Sequence, residues 1–257
     1  MTENPSIVAL IPARSGSKRL PHKNVRRLAG HPVLAYSVAA AQQSQVFDAI
    51  VVSTDSDAYA DVARHYGAEV PFMRPAEFAG DLSPDIDWVA DTLEKLRAAG
   101  RTYDCFSILR PTSPFRTGET IQRAWQNFVA DARVDSLRAV EKCKQHPGKM
   151  WVVRDTRMLP FLPLGTPEQP WHSSQYQSLP TVYVQNASLE IAWARVALEG
   201  HTIAGTAIMP FFTQDYEGFD VNQPLDWLLA ELLLERGLAA LPMPAQLPYD
   251  NAKEITP

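Results

Sequence analysis

A cluster of basic side chains follows the first apolar run of the chain. Residues 12–24 read PARSGSKRLPHKN, and glycine and serine separate five side chains that are or can become cationic: Arg14, Lys18, Arg19, His22 and Lys23. Cations and loop backbone N–H groups together can hold a polyphosphate. The segment matches neither the dinucleotide fingerprint nor the P-loop pattern. On charge alone it is either a phosphate-binding loop of another kind or an ordinary solvated basic loop.

A second group of candidate residues lies in the segment FDVNQP at residues 219–224. The Asp220 carboxylate is either a ligand for Mg²⁺, which takes oxygen ligands and bridges phosphates, or a simple turn carboxylate. Asn222 offers an uncharged oxygen. It also suits the N-cap of a helix that starts at Gln223 and Pro224, and we favour this role over metal contact.

The elements that would position these residues alternate between strand and helix. Strand patterns occur at 6–11, 49–53, 69–73, 105–109 and 136–140, and helical spacing occurs at 32–43, 57–66, 84–99, 117–131 and 224–236. This alternation predicts an α/β fold with a Rossmann-like, mainly parallel, doubly wound sheet. In such a sheet the functional crevice lies beyond the carboxyl ends of the strands, where the basic loop begins.

Residues 141–195 break this rhythm. They are rich in Pro, Trp and Gln, with strand-like pieces at 150–154, 181–184 and 189–193, and they predict a small antiparallel insertion. The α/β domain would then comprise residues 1–140 and 196–240. Residues 241–257 would form an extended or loose tail.

The bulk composition excludes several classes of protein. The formal net charge is -5 and the sequence pI is about 5.7, so no overall basic field exists to hold nucleic acid. No apolar stretch approaches membrane-spanning length, and no signal-peptide pattern is present. Two cysteines do not make a disulfide framework, and without a Cys/His cluster no zinc site is expected. We expect a soluble, cytoplasmic protein that binds neither nucleic acid nor membrane.

The basic loop resembles the signature of the CMP-N-acylneuraminate (CMP-sialic acid) synthetase family, A-R-x-G-S-K followed after two to four residues by K-N. The residues that fit it in order are Arg14, Ser15, Gly16, Ser17, Lys18, Lys23 and Asn24. Further segments are similar to the same family in the same order: 53–55, 74–77 with Asp81, 111–114 with Arg116, 146–147 with Lys149, Asn186, and Asp220 with Asn222. The series spans residues 6–236, nearly the whole chain.

The resemblance implies a nucleotide-diphospho-sugar transferase type of fold and a cytidylyltransferase reaction. In that reaction a hydroxyl of an acidic sugar attacks the α-phosphorus of CTP and releases pyrophosphate, which requires charge neutralisation and in-line positioning. The implied catalytic residues are Arg14, Lys18, Lys23 and Asp220. Arg14 and Lys23 would bind the triphosphate, and Lys18 would support the leaving pyrophosphate. A Mg²⁺ ion would be held by Asp220, with Asn222, where the family often has a second aspartate, as the second ligand.

The same resemblance implies the nucleotide-binding residues Arg14, Ser15, Gly16, Ser17, Lys23, Asn24, Arg74 and Asp85. The family usually has Ser or Thr at position 85, so a helix N-terminal carboxylate is the alternative for Asp85. The insertion at 141–195 would bind the acceptor and join two copies of the chain in a homodimer.

The acceptor side departs from the family pattern. The implied substrate-binding residues are Arg110, Lys149, Tyr176, Asn186 and Glu190. Arg110 replaces a common Gln, Glu190 replaces an aromatic residue, and Tyr176 falls near the place of an Arg that binds the sialic acid carboxylate. Arg110 would either take over part of this anion binding or be an arginine paired with a neighbouring acid.

These departures leave three hypotheses open. The first is an enzyme that transfers CMP from CTP to a sialic-acid-like, nonulosonic acid. The second keeps the fold but uses another acid or a phosphonate as the acceptor, or another base. The third is a catalytically silent module that binds a nucleotide sugar.

Overall fold

The computed structural model describes residues 5–250, which form two compact units, a larger one (5–139 and 186–250) and a smaller one (140–185). The strands are β1 (Ile7–Pro12), β2 (Arg27–Leu28), β3 (His31–Pro32), β4 (Ala49–Ser53), β5 (Cys105–Ile108), β6 (Ser136–Lys142), β7 (Trp151–Arg154), β8 (Arg157–Pro160), β9 (Tyr183–Trp193) and β10 (Ile208–Phe212). The helices are α1 (Val33–Ser44), α2 (Asp57–His65), α3 (Asp85–Ala98), α4 (Gly118–Ala130), α5 (Ala194–Leu198) and α6 (Pro224–Glu235).

Six strands form one sheet in the order β10-β6-β9-β5-β1-β4. β1 pairs in parallel with both β4 and β5, and β9 is antiparallel to β5. Ile7, Ala9 and Ile11 of β1 pack into one hydrophobic cluster, whereas Val8 and Leu10 pack into another, because alternate side chains point to opposite faces of a strand. Burial on both faces explains the continuous apolar run. The predicted α/β, mainly parallel, Rossmann-like sheet is confirmed.

The start of α6 differs from its prediction. Its N-cap is Gln223, so the prediction that Asn222 caps this helix is wrong. The Asp226 carboxylate accepts hydrogen bonds from the backbone N–H groups of Asn222 and Gln223, at 2.8 Å each. Because Asp226 reaches back to these N–H groups, the Asn222 side chain is left for other contacts.

Two further segments also differ from their predictions. Residues 69–73 form no strand beyond a single bridge between Glu69 and Val51, since Pro71 has no N–H to continue a ladder. Residues 183–184 and 189–193 of the two predicted strand-like pieces belong to the single strand β9. The smaller unit ends at residue 185, ten residues before the predicted end of the insertion, because Glu190–Trp193 pair with β5 in the main sheet.

The smaller unit contains an antiparallel hairpin of β7 and β8, with Asp155 at positive φ in its turn. Its His146 side chain is buried and fully used: Nε2 donates to the Pro180 carbonyl at 2.9 Å, and Nδ1 accepts from the Gly148 N–H at 3.0 Å. Several apolar side chains of the hairpin are exposed, among them Val153 with 68% of its surface.

The C-terminal segment has neither helix nor strand up to residue 250 but is held on the larger unit. Gln43 Nε2 donates to the Met243 carbonyl at 2.9 Å, and the Tyr249 N–H donates to the Tyr66 hydroxyl at 3.1 Å. Residues 251–257 of the predicted tail lie outside the described residues. Within residues 5–250, no helix has the length and apolar character needed to cross a membrane.

Candidate active site

A cavity of about 270 Å³ opens at the carboxyl ends of the parallel strands in the larger unit. Its wall comes from the basic loop after β1, the segment that leads to α3, the loop after β5 and the loop before α6. The predicted site residues in this wall are Arg14, Ser17, Lys18, Lys23, Asn24, Arg74, Asp85, Arg110, Asp220 and Asn222. The structure therefore brings the nucleotide-binding and metal-binding predictions together, apart from Ser15 and Gly16, which lie beside this wall in the same loop.

Hydrogen bonds hold the basic loop at both ends. Near its start, Ser15 donates to Asp55 through both its backbone N–H (2.8 Å) and its hydroxyl (3.0 Å). At its end, Asn24 Nδ2 donates to the Arg14 carbonyl at 3.0 Å. Asp55 lies two residues after the end of β4, the parallel neighbour of β1. It therefore anchors the loop, a role that the sequence alone did not suggest.

Two of the predicted phosphate-binding cations share one carboxylate. Arg14 Nη2 lies 3.0 Å from Asp81 Oδ1, and Lys18 Nζ lies 2.5 Å from Asp81 Oδ2. Arg14 Nη1 also donates to the Gly80 carbonyl at 2.6 Å. The hydrogen bond from Lys18 lowers the pKa of Asp81, which keeps this carboxylate ionised. A phosphate that binds Arg14 and Lys18 has to compete with Asp81.

The other cations of the loop face the segment before α6. Lys23 Nζ donates to Asn222 Oδ1 at 3.0 Å, and Arg19 Nη2 donates to the same oxygen at 3.2 Å. Burial lowers the pKa of Lys23, although the nearby Asp220 carboxylate raises it in part. An anion entering the cavity would favour the charged form of this lysine.

Asp220 is the residue of the cavity wall that could hold a metal. Its Oδ1 is buried and accepts no hydrogen bond within the described residues, while Oδ2 accepts from Asn222 Nδ2. A buried carboxylate oxygen without a donor is costly unless a ligand or cation completes it. No cluster of three or more His, Cys, Asp or Glu residues that could hold a metal occurs in residues 5–250. One carboxylate is nevertheless enough for Mg²⁺, which takes its other ligands from phosphates and water.

Asn222 is oriented by its neighbours. Its oxygen faces the cations of Lys23 and Arg19, and its amide nitrogen faces the Asp220 carboxylate. This orientation matches the charges on both sides of the amide. Metal contact by Asn222 stays a prediction.

Arg74 is fixed by the end of β4. Its Nε donates to the Ser53 hydroxyl at 2.9 Å and its Nη2 to the Ser53 carbonyl at 3.0 Å. The guanidinium lies 4.6 Å from the centre of the Trp88 ring. Burial lowers the pKa of Arg74 to about 10, and the charge of Asp55 opposes this shift. Arg74 is thus a preformed, charged part of the cavity wall.

Arg110 is paired with two acids. Its Nη2 lies 2.6 Å from Asp85 Oδ2 and 3.0 Å from Glu190 Oε1, and the second Glu190 oxygen lies 2.8 Å from Arg138 Nη1. Burial alone would raise the pKa of Asp85, but the charge of Arg110 and hydrogen bonds outweigh it and lower the pKa. Three residues that depart from the family pattern are therefore joined, because Asp85 and Glu190 both pair with Arg110. Sequence reasoning missed the fourth member, Arg138.

A second arginine lies behind this loop. The Arg116 side chain is fully buried, and its Nη2 donates to the Ser37 hydroxyl at 2.6 Å. Its Nη1 donates to the carbonyls of Ser188 and Arg110. Burial lowers the pKa of Arg116 to about 9. Arg116 therefore supports the backbone of Arg110 from the core.

The remaining acceptor-binding predictions are not among the lining residues of this cavity. Lys149 and Tyr176 belong to the smaller unit, where Lys149 Nζ donates to the Ser174 carbonyl at 2.6 Å and the Tyr176 hydroxyl donates to the Cys143 carbonyl at 2.9 Å. Asn186 belongs to the larger unit but not to the cavity wall, and its Nδ2 donates to the Thr213 hydroxyl at 2.9 Å. The substrate-binding roles of these three residues stay predictions.

Known proteins of related structure share this fold. The CTP complex of CMP:2-keto-3-deoxy-manno-octonic acid synthetase superposes with a TM-score of 0.65 at 15% identity, covering 90% of this chain and 99% of that chain. A 4-diphosphocytidyl-2C-methyl-D-erythritol synthase from Anaerococcus prevotii superposes with a TM-score of 0.61 at 13% identity, covering 91% of this chain and all of that one (100%). At these identities the likeness concerns the fold alone.

Sequence relatives place the chain in a family. It is 37% identical over 241 residues to the CMP-N,N'-diacetyllegionaminic acid synthase of Legionella pneumophila, covering 91% of this chain and 99% of the relative. It is 29% identical over 224 residues to the N-acylneuraminate cytidylyltransferase of Escherichia coli, covering 87% of this chain and 51% of that relative. A sequence profile described as cytidylyltransferase matches residues 8–144, more than half of the chain. The chain therefore belongs to the cytidylyltransferase family and is a CTP-dependent nucleotidyltransferase.

Proposed function

We propose that this enzyme transfers CMP from CTP to the hydroxyl of a nonulosonic acid and releases pyrophosphate. The observation that carries the proposal is the single cavity that gathers Arg14, Lys18, Lys23 and Asp220 at the carboxyl ends of the strands. Cations there can neutralise a triphosphate, and the carboxylate opposite can hold a metal. This arrangement suits displacement at phosphorus, where the protein contributes charge and position.

The basic loop would bind the triphosphate. Arg14 and Lys18 are the cations that a phosphate could release from Asp81, and Lys23 is the partly buried cation that an anion would favour in its charged form. We assign the triphosphate to Arg14 and Lys23 and the leaving pyrophosphate to Lys18. Asn24, at the end of the basic loop, and Arg74, in the segment that leads to α3, would contact the nucleotide.

Asp220 would hold a Mg²⁺ ion in this reaction. The ion would neutralise phosphate charge and make the pyrophosphate a better leaving group. The protein's part is to present the Asp220 oxygen that lacks a donor, and to keep Lys23 and Arg19 in place through Asn222. Asp220 suits Mg²⁺ because this ion takes oxygen ligands and Oδ1 of the carboxylate is buried without a donor in the described residues.

The acceptor class follows from the named relatives. The Legionella relative is named for N,N'-diacetyllegionaminic acid, and a relative from Campylobacter jejuni, 30% identical over 231 residues, carries the same name. These names support a nonulosonic acid as the acceptor here as well. We also propose a cytoplasmic location, where nucleoside triphosphates are available.

We further propose a homodimer that forms through the smaller unit. The β7–β8 hairpin exposes the cross-strand partners Val153 and Met158, each with more than half of its surface. Exposed apolar side chains that lie together are typical of an interface. Sedimentation analysis should give a dimer, and exchanging Val153 and Met158 for Glu should give a monomer. A monomeric wild type would contradict this part of the proposal.

A pyrophosphate-release assay tests the function. The enzyme is supplied with Mg²⁺, each of the four nucleoside triphosphates in turn, and a panel of nonulosonic acids, other sugar acids and phosphonates. We expect release only with CTP and a nonulosonic acid. Release with ATP or GTP but not CTP would exclude CTP as the donor. Release with phosphonates alone would show that the acceptor is a phosphonate and not a nonulosonic acid. CTP binding without turnover on any acceptor would favour a silent binding module.

A further inference from the structure

Four charged side chains form a continuous series from strand β6 of the larger unit to the cavity wall. Arg138 on β6 lies 2.8 Å from Glu190 on β9, an ion pair without hydrogen-bond geometry. Glu190 accepts from Arg110 Nη2 at 3.0 Å, and the same nitrogen donates to Asp85 at 2.6 Å. Of the four, only Arg110 and Asp85 line the cavity. Among residues 5–250, Arg110 is the side chain that links the two inner members to the cavity.

The charges of this series cancel, since it has two positive and two negative members. The Glu190 side chain is 5% exposed, so solvent screens its charge little, and both carboxylates lie within 3.0 Å of the Arg110 guanidinium. An anion that approaches Arg110 therefore has to compete with two carboxylates that already pair with its guanidinium. This arrangement does not favour Arg110 as a receptor for the carboxylate of an acceptor.

We propose that Arg138 and Glu190 are positioning residues that hold Arg110 against Asp85, and that this pair recognises an uncharged group which both donates and accepts hydrogen bonds. A hydroxyl pair and a secondary amide have this chemistry. The proposal rests on the proposed function, which supplies such groups from two sources: the substituents of the sugar acid and the ribose of CTP.

The free hydrogen-bonding capacity of the pair supports this chemistry. Both acids bind Nη2 of Arg110, and within residues 5–250 neither Nη1 nor Nε of this arginine donates a hydrogen bond. Asp85 is fixed from its other side, where Oδ1 accepts from Trp88 Nε1 at 2.8 Å. Donors on Arg110 thus lie beside an acceptor on Asp85, and both side chains are held before a ligand arrives. Such preorganisation saves the entropy of ordering a long side chain.

Removing the inner charges tests the positioning role. We compare Arg138→Met and Glu190→Gln with the control Arg123→Met. Arg123 forms a similar ion pair with Glu217, with 2.8 Å between the charged atoms, and neither residue lines the cavity. Both test variants should raise the KM of one substrate about tenfold and leave the KM of the other within about twofold, as expected for one displaced hydrogen-bonding group. Arg138→Lys should partly restore that KM, and Arg123→Met should change neither.

The affected substrate identifies the source of the recognised group. A raised KM for the sugar acid points to its hydroxyl or acylamino substituents. A raised KM for CTP, together with a smaller effect on 2′-deoxy-CTP, points to the ribose. Unchanged values for both substrates in Arg138→Met and Glu190→Gln, at wild-type Tm, would overturn the proposal.

Inhibition by acetate at constant ionic strength tests whether Asp85 and Glu190 neutralise the charge of Arg110. Acetate should not compete with the acceptor in wild type, because two carboxylates already pair with the Arg110 guanidinium, whereas it should compete in Glu190→Gln, where one of these negative charges is removed. Acetate inhibition that competes with the acceptor in wild type and is lost in Arg110→Met would contradict the proposal.

Wild-type turnover in the same experiment separates this inference from the proposed function. If the wild type turns over no acceptor, the proposed function fails. In that case, calorimetry measures the affinity of wild type and the same variants for CTP, with and without acetate. A CTP affinity that none of the variants changes would overturn the inference as well.

Discussion

Exchanging Asp220 for Asn should separate activity from stability. The substitution keeps the size of the side chain and its contact with Asn222 but removes the charge that a metal needs. In the wild type the buried Oδ1 has no donor within the described residues, and such an acceptor costs about 1–3 kcal/mol. An uncharged amide at this place costs less to bury than an ionised carboxylate, and this gain is opposed by the lost attraction between Asp220 and the Lys23 ammonium.

From these two terms we expect the free energy of unfolding without metal to change by no more than about 1 kcal/mol. For a chain of this size that corresponds to about 2–4 °C in Tm. Turnover with Mg²⁺ should fall about 100-fold to 1000-fold, because the charge stabilisation supplied through a metal is worth several kcal/mol.

The assay combines pyrophosphate release with thermal unfolding in CTP, with and without Mg²⁺. Wild type should gain Tm from Mg²⁺ in the presence of CTP, and Asp220→Asn should lose this gain. Asp226→Asn is the matched control: it removes a carboxylate at the start of α6, so it should lower Tm yet keep the gain from Mg²⁺. Near-normal turnover of Asp220→Asn, or a preserved gain in Tm, would refute the assignment.

Three other predictions concern the basic loop. Asp81→Asn should tighten CTP binding severalfold in calorimetry, because Arg14 and Lys18 no longer pair with a carboxylate. Glu94→Gln controls for the change in net charge. Weaker CTP binding by Asp81→Asn would contradict the prediction and show that Asp81 supports the site. CTP binding should take up protons at alkaline pH, since burial lowers the pKa of Lys23 and a phosphate raises it again, so affinity should fall as pH rises through the lowered pKa. Calorimetry in buffers of different ionisation enthalpy measures this uptake, which Lys23→Arg should abolish; equal uptake in both proteins would exclude Lys23. Asp55→Ala should raise the KM for CTP about tenfold, because Ser15 loses both of its hydrogen bonds to Asp55. The control Asp61→Ala, on the exposed face of α2, should leave this KM unchanged. Equal effects of the two variants would contradict the anchoring role of Asp55.

The sequence was most informative where burial is continuous. The predicted strand at 49–53 has the same bounds in the structure, because an unbroken apolar run between polar residues fits only a strand covered on both faces. The strand predicted at 69–73 was wrong, since its composition is apolar but Pro71 cannot continue a ladder. Local pattern therefore identified the sheet but not every edge of it.

The cavity wall was predictable in its members but not in its contacts. The basic loop and Asp220 lie where parallel strands end, and an alternating α/β pattern implies that position. The pairing of Arg14 with Asp81 joins residues 67 positions apart, and that of Arg138 with Glu190 joins two strands of the sheet. Such ion pairs depend on the tertiary arrangement of loops and strands, to which residue spacing along the chain gives no access.

The central claim is attack on the α-phosphorus of CTP, and the product of the reaction tests it most directly. The enzyme is incubated with CTP, Mg²⁺ and N,N'-diacetyllegionaminic acid, and the nucleotide product is measured by mass spectrometry and phosphorus NMR. We predict a CMP ester with a single phosphorus, formed together with pyrophosphate. A product that carries a diphosphate bridge, or unchanged CTP with every nonulosonic acid supplied, would contradict the account.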